Sequence, residues 1–594
     1  MRSAKKTLEI IENLSNQNPD YEFHRIYREL YNPDLLLRAY LKLAPNEGNM
    51  TRGVDGKTID GFGMGDIEKI IEDLRNERYY PNPARREFIP KTNGKLRPLG
   101  IPTFRDKVVQ EALKELLEAI YEPIFLDCSH GFRPGRSCHT ALSYIKYHCH
   151  NTTWAVEGDL TSFFDNIDHE ILLRIISKKV KDGRVIELIR RFLKAGYIED
   201  SSFKESLLGS PQGGVLSPLL ANIYLHEFDT FVESLKEEYT KGTASRTNPQ
   251  YSTLSRLRKE ALKKGDSSEA RNLLKKLRNT RSTDPMDPNF ARVQYLRYAD
   301  DWVIFCTGSK KMAMEIKERC AEYLRDELGL QLNEDKTHIT NLSDENIRFL
   351  GYEIHKIRND TKLYKDPRGV RKRLANGKIS LLVPWDAISK RIAPLVAEGK
   401  TVARDAWLNS SVEQIISGFS SEFRGLYNYY RLASNVGTRM NSYRYYHERS
   451  MLKTIAKKEK SSVRKVQMKY EGTFIDDEGL HRRTVMVKVG EDIKAYYKNW
   501  GYTTDSNPVE PKRREVSDFS PELKSRILKG ICELCNSACK AEVHVVRNLS
   551  KTTERYERTK KPLPRWLSIM NSMHRKTLVI CHRCHIKLHR GKPV

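Results

Sequence analysis

The stretch VQYLRYADDWVIFC, residues 293 to 306, carries the reading of the whole chain. Val293, Tyr295 and Leu296 lead in, and Trp302, Val303, Ile304, Phe305 and Cys306 lead out, so both flanks are apolar and β-prone. The pattern predicts two short strands joined at Tyr298, Ala299, Asp300 and Asp301. Adjacent carboxylates at a hairpin tip repel each other and lack local partners, so a bound cation is their natural complement. An aspartate pair in a turn is also ordinary turn chemistry, and a second stretch decides between the two. At 154 to 165 the chain reads WAVEGDLTSFFD, a strand running into Asp159 and then an aromatic pair.

A strand-end aspartate, a spacer and a YADD hairpin in that order resemble the palm of reverse transcriptases. The resemblance implies that Asp159 and Asp300 meet from separate strands to hold two Mg²⁺ ions about 3.5 to 4 Å apart, with Asp301 as the supporting ligand. One ion would activate the primer 3′ hydroxyl and the other would neutralise the triphosphate. It also places an aromatic residue, here Phe164, under the sugar as a gate against a 2′ hydroxyl, which implies dNTP substrates. Phe163 is expected in the core.

Outward from the palm, further segments match family motifs in order. Residues 85 to 102, RREFIPKTNGKLRPLGIP, read as a hairpin around Asn93 and Gly94. By resemblance Lys91 and Arg97 clamp the triphosphate, while Lys95 is solvated. SHGFRPGRSCHTAL (129 to 142) offers Arg133 and Arg136 to template phosphates. LLGSPQGGVLSPLLANIYL (207 to 225) brings Gln212 beneath the base, LQLNEDKTHI (330 to 339) brings Lys336 near the triphosphate, and IRFLGYEI (347 to 354) resembles the primer grip. Residues 1 to 80 read as mainly helical, interrupted by the loop NEGNMTRGVDG at 46 to 56, which is similar to the N-terminal extension motif of group II intron and non-LTR enzymes.

The chain's 594 residues imply several domains, and 104 Lys plus Arg against 77 Asp plus Glu leave a formal charge of +27. Such an excess points to nucleic acid as partner. No apolar run approaches the roughly 18 residues of a spanning helix, and the start shows no secretion signal. These features predict a place inside the cell, in the bacterial cytoplasm or an organelle, and no membrane partner.

Between 236 and 290 a Leu-spaced, Lys- and Arg-rich segment reads as a helical insertion, either a solvated hairpin or a docking surface for structured RNA. SEFRGLYNYYRLASN (421 to 435) resembles domain X, the maturase thumb, and the cationic run after it offers Lys457, Lys458, Lys460, Arg464 and Lys465 to RNA. Tyr427, Tyr429 and Tyr430 fit a core equally well.

Five of the ten cysteines fall in the last 63 residues. CELC at 532 to 535 and CHRCHIKLH at 581 to 589 predict a structural Zn²⁺ held by Cys532, Cys535, Cys581 and Cys584. His585 and His589 lie one helical turn apart. With AEVHVVRNL (541 to 549) this tail resembles the HNH endonuclease domain, a ββα fold with one Mg²⁺, for which His544, His585 and His589 are the candidate metal ligands. That family follows its first histidine with a second one acting as general base. Here Val545 follows His544, so a folded tail that binds DNA but cuts it poorly is expected, with cDNA then primed from another 3′ end.

Taken along its length, the sequence is similar to group II intron-encoded proteins of the multifunctional lactococcal type. The expected architecture is a multidomain α+β chain. Fingers and palm occupy 1–362, an α-helical thumb or domain X 363–490, a DNA-binding region 491–527, and a small zinc-stapled ββα domain 528–594. Implied activities are RNA-directed DNA polymerisation, maturase assistance to splicing and reverse splicing, and intron mobility into a DNA target. A splicing-only maturase would have lost a palm carboxylate, and a stand-alone retron-like enzyme would need neither domain X nor the zinc tail.

Overall fold

The computed structural model of the chain describes every residue except 1, 91–93, 95, 200–201, 205–207, 210–212, 281, 285–286, 359–362, 366–368, 370, 374–376, 477–478, 491, 506, 509–520, 559–561 and 592–594. Among the described residues ten strands precede residue 357: β1 (Ala84–Pro90), β2 (Leu96–Ile101), β3 (Trp154–Gly158), β4 (Tyr197–Glu199), β5 (Ser202–Lys204), β6 (Arg292–Tyr298), β7 (Asp301–Thr307), β8 (His338–Asn341), β9 (Ile347–Phe349) and β10 (Tyr352–Lys356). No helix among them is long and apolar enough to cross a membrane.

The palm sheet has the order β6-β7-β3-β8 and is antiparallel throughout. Its central strand β7 reads as a continuous apolar run, Trp302 to Cys306, because both faces are covered. Trp302, Ile304 and Cys306 face one core, shared with the helices Ser217–Tyr239 and Lys310–Leu328. Val303 and Phe305, the alternate positions, face a second core shared with the helix Cys138–His148 and the thumb. The period-2 alternation of a strand thus divides the molecule into its two principal cores. Gly158 is required where β3 crosses Trp302, since a Cβ there would lie 2.1 Å from the indole.

The fingers hairpin forms as expected, β1 pairing with β2 from Arg85↔Ile101 to Pro90↔Leu96. β1 also takes β4 in parallel, and β4 takes β5. Beneath it the helices Ala4–Gln17 and Pro33–Leu43 pack on the long helix Phe104–Tyr121. Asn32 caps the second of these through the Asp34 amide, with Pro33 in the first turn where its missing N–H has no cost.

In the thumb the helices Val412–Tyr430 and Val436–Lys458 form an antiparallel pair followed by Val463–Tyr470. A three-stranded sheet, Glu471–Ile475, His481–Val489 and Asp492–Tyr496, then folds onto them. Buried Tyr497 packs on Phe423 and His447, and Arg431 pairs with Asp505. The thumb therefore continues past the expected limit at 490, because strand 492–496 completes its sheet. The insertion is a helical hairpin, Pro249–Lys263 and Ser267–Asn279, with a small cluster of its own around Ala261, Ala270 and Leu273.

In the C-terminal segment the strands Glu542–Val545 and Thr577–Ile580 pair antiparallel with the helix His582–His589 after them, but the helices Leu549–Arg558 and Arg565–Ser572 lie between the strands, an addition to the ββα order expected. It is not detached from the rest. Leu523, Ile527, Ala541, Val543 and Val579 belong to the same core as Ile59 and Phe62 of the N-terminal region.

Candidate active site and metal centres

Register places the palm carboxylates. β3 pairs with β7 up to Gly158↔Trp302, so Asp159 sits one step beyond the last pair, beside Asp301. The β6–β7 hairpin closes on Tyr298↔Asp301 with Ala299 at φ 59°, a left-handed turn that carries Asp300 at the tip. Burial, then the charge of Asp159, raises Asp300 above the usual carboxylate range, with Arg97 and Lys336 opposing. Asp301 has a solvent-accessible edge, yet protein atoms surround it closely enough that desolvation comes first among its perturbers. With Asp300 and Asp159 adding to it, Asp301 is pushed up to about 6. Lys336 donates to Asp159 Oδ2 at 2.7 Å and is itself raised by that bond.

The hairpin is braced from below by residues that sequence reasoning missed. Arg297 is fully buried and binds Asp229 through Nε and Nη2, each at 2.7 Å. It also donates to the Ala299 carbonyl at 2.8 Å, to Ser129 Oγ at 2.8 Å and to Asn222 Oδ1 at 3.1 Å. Breaking such a buried pair costs about 3 to 5 kcal/mol, because the surviving charge is left uncompensated. Asn222 in turn donates to the Gly131 carbonyl at 2.8 Å. Gly131 lies so close to the turn that a Cβ would sit 2.3 Å from the Ala299 nitrogen. Gly131 belongs to the SHGFRPGRS stretch, from which the sequence singled out only the arginines.

Arg97 is exposed on β2 and within electrostatic reach of Asp300. Lys91 and Gln212 lie outside the described residues. Gly213, at φ 111°, approaches the fingers so closely that a Cβ would meet the Gly100 carbonyl at 2.5 Å, which sets Gly213 against β2. Phe163 is buried as expected, and Phe164 is half-buried, edge-on to it at 5.3 Å.

Arg133 departs from expectation. It is buried, bound to Glu122 through Nε and Nη2 and to the Leu126 and Ser129 carbonyls, and lies over the Phe125 ring. It is a structural staple, with no donor turned to a template phosphate. Arg136 pairs with Asp127 at the surface. In the thumb, Lys457 is exposed and pairs with Asp405 at 2.7 Å, while Lys458 donates to the Leu408 carbonyl at 3.0 Å. Lys460, Arg464 and Lys465 are exposed. Tyr429 and Tyr430 donate to the Leu350 and Gly351 carbonyls, tying the thumb to the β9–β10 turn.

In the C-terminal segment the ligand atoms of Cys532, Cys535, Cys581 and Cys584 lie within 4.8 Å of one another. A second group with the same closeness joins His544, His585 and His589 to Asp60, which comes from the loop before the helix Met64–Arg75. Glu542 Oε2 is 2.7 Å from His585 Nδ1. Nothing local in the sequence marks Asp60 for this place.

A reverse transcriptase (RNA-dependent DNA polymerase) family model matches residues 89–245 and 269–354, passing over the whole of the insertion's first helix. A type II intron maturase model matches 381–511, reaching beyond 490 as the thumb sheet does. The chain is similar to the group II intron-encoded protein LtrA of Lactococcus lactis subsp. cremoris, 38% identical over 98% of this chain and 99% of that protein. It is also similar to an uncharacterized 91 kDa protein in the cob intron of Schizosaccharomyces pombe, 36% identical over 99% of this chain and 73% of that one. The putative COX1/OXI3 intron 2 protein of Saccharomyces cerevisiae is 30% identical over 96% of this chain and 66% of its own length.

Proposed function

Since this chain belongs to the group II intron-encoded proteins, a reverse transcriptase joined to a maturase region, we propose that it copies intron RNA into cDNA at Asp159, Asp300 and Asp301, and carries the RNA toward a DNA target. Intron RNA and nucleotides are the substrates its two matched regions imply. Such work belongs in the bacterial cytoplasm or in an organelle.

The observation that carries the reading is the convergence of three carboxylates across one strand pair, two of them raised by burial and mutual repulsion. Hard oxygen donors held together at that cost in charge fit Mg²⁺. Bound there, the ions supply activation of the primer 3′ hydroxyl and neutralisation of the triphosphate. The chain's own side chains do the rest. Lys336, on the Asp159 carboxylate, and Arg97, facing Asp300, orient the negative charge of an incoming dNTP. Phe164 closes the floor under its sugar, with Lys91 and Gln212 completing the contacts to phosphate and base. The exposed cations Lys457, Lys460, Arg464 and Lys465, with Arg136 and the basic hairpin, hold RNA through its backbone. All three carboxylates are present, which separates this protein from a splicing-only maturase.

For the C-terminal domain, four thiolates gathered within 4.8 Å fit a structural Zn²⁺. His544, His585 and His589 are the metal ligands of an HNH-type centre that lacks its base at Val545, so this domain binds target DNA and cuts it poorly.

The test is RNA-templated primer extension alongside a splicing assay. Asp300→Ala abolishes extension and leaves intron RNA binding and splicing near wild type, because phosphate contacts elsewhere dominate affinity. Extension that survives in this variant overturns the assignment.

A further inference from the structure

The surroundings of Asp60 are those of a ligand set. Asp60 Oδ1 is 2.9 Å from His544 Nδ1 and 3.5 Å from His585 Nε2, and Oδ2 is 2.8 Å from His589 Nε2. The Nε2 atoms of His585 and His589 are 3.0 Å apart. Bonds of about 2.0 to 2.1 Å to a tetrahedral ion put ligand atoms about 3.3 Å from each other, and the separations from the two Asp60 oxygens and between the two imidazoles fall on either side of that value. His544 is 5% exposed; its Nδ1 meets Asp60, and its Nε2 has no hydrogen-bond partner, a costly condition for a buried imidazole. His585 gives its Nδ1 to Glu542, which fixes the ring and leaves Nε2 turned to the centre, as outer carboxylates do for metal-binding histidines.

We infer that Asp60 completes a four-ligand metal centre with His544, His585 and His589, and that the ion clasps the C-terminal domain to the N-terminal region. This rests on the reading of the three histidines as metal ligands given above. Three imidazoles and one carboxylate in closed four-fold arrangement suit Zn²⁺ far better than Mg²⁺.

The rest of the contact is built for this approach. Gly61 N–H donates to the Val543 carbonyl at 3.0 Å, Val543 N–H to the Phe62 carbonyl at 3.1 Å, and Met64 N–H to the Ala541 carbonyl at 3.3 Å. Val545 N–H donates to Asp60 Oδ1 at 2.8 Å and aligns the carboxylate. A Cβ on Gly61 would lie 2.9 Å from His585 Cε1, and one on Gly63 would lie 2.1 Å from the Ala541 carbonyl oxygen. The sequence DGFG at 60 to 63 therefore supplies a ligand and two positions without side chains, where the partner strand must come close. Ion pairs Lys524–Asp34, Lys540–Glu68 and Lys576–Glu47 ring the contact. A hydrolytic centre keeps one metal position open for water or substrate. Here Asp60 fills it, so the docked domain holds an ion that fastens and does not cut.

The experiment uses the full chain, saturated with Zn²⁺ and dialysed against graded chelator, with bound zinc counted by mass spectrometry. Wild type retains two ions per chain. Asp60→Asn holds the second ion on the order of 100-fold or more weakly, while Asp60→His restores it. Cobalt substitution separates the sites, because the intense thiolate absorption of the four-cysteine site stays in every variant and the weaker bands of the second site change in Asp60→Asn. In wild type, removing the second ion also speeds amide hydrogen exchange at Gly61 and Val543. Two ions held equally tightly in Asp60→Asn would overturn the clasp and leave the three-histidine reading standing. One ion in wild type would overturn the three-histidine reading itself, and with it the clasp, leaving Asp60 as an ion-pair partner only.

Discussion

The palm centre and the C-terminal centre both hang ligands on an antiparallel strand pair, and they differ in where the remaining ligands come from. Asp159, Asp300 and Asp301 belong to neighbouring strands of one sheet and are braced from beneath by buried Arg297 and Asp229. All three carboxylates stand on one layer. His544 also stands on a strand, but His585 and His589 come from a helix and Asp60 from a loop 485 positions before Val545. The first design fixes geometry for repeated chemistry. In the second, on the reading proposed here, the same atoms that bind an ion decide whether two domains stay together, and an aliphatic side chain, Val545, follows the strand histidine.

That contrast can be broken most directly at the incomplete site. Val545→His returns a base to the strand, and bottom-strand cutting by the assembled ribonucleoprotein should rise on the order of 100-fold. This is the low end of general-base effects, because Asp60 still fills the position that substrate needs. Efficient cutting by the unmodified protein would erase the distinction between the centres. At the complete site a loss is expected instead. Phe164→Val should raise ribonucleotide incorporation relative to deoxyribonucleotide by about tenfold or more, as the loss of a snug apolar contact does. An unchanged ratio in competition assays would move the gate elsewhere. The smallest effect sharpens the RNA-binding side. Lys457→Ala should reduce the slope of log affinity against log salt by about one, whereas Lys458→Ala should leave it alone, since Lys458 is tied to the Leu408 carbonyl. Equal slopes for the two variants would show that this tie opens on RNA.

What the sequence disclosed follows the same division. The YADD hairpin, the strand into Asp159, the CxxC pairs and the paired thumb helices were legible because each rests on local periodicity or spacing. Arg133 misled: an arginine among glycines and a proline looks like a phosphate contact, and only the fold brings Glu122 and two carbonyls around it. Arg297 hid inside an apolar strand, where its partner Asp229 is 68 positions away. Asp60 was invisible for the same reason at greater distance. A ligand delivered by domain docking leaves no local spacing to read.

The shared core of the N-terminal helices and the C-terminal domain also sets a timetable for synthesis. Phe62 and Ile59 leave the ribosome about 480 residues before Val543, and earlier still than Val579, both of which share their core. At about 5 to 20 residues per second the wait is roughly half a minute or more. For that interval every nascent chain presents an apolar patch and an unpaired DGFG backbone, a surface on which chaperones or a neighbouring chain on the same message can act. Any message cut short before the last strand pair yields a product in which that patch is never covered.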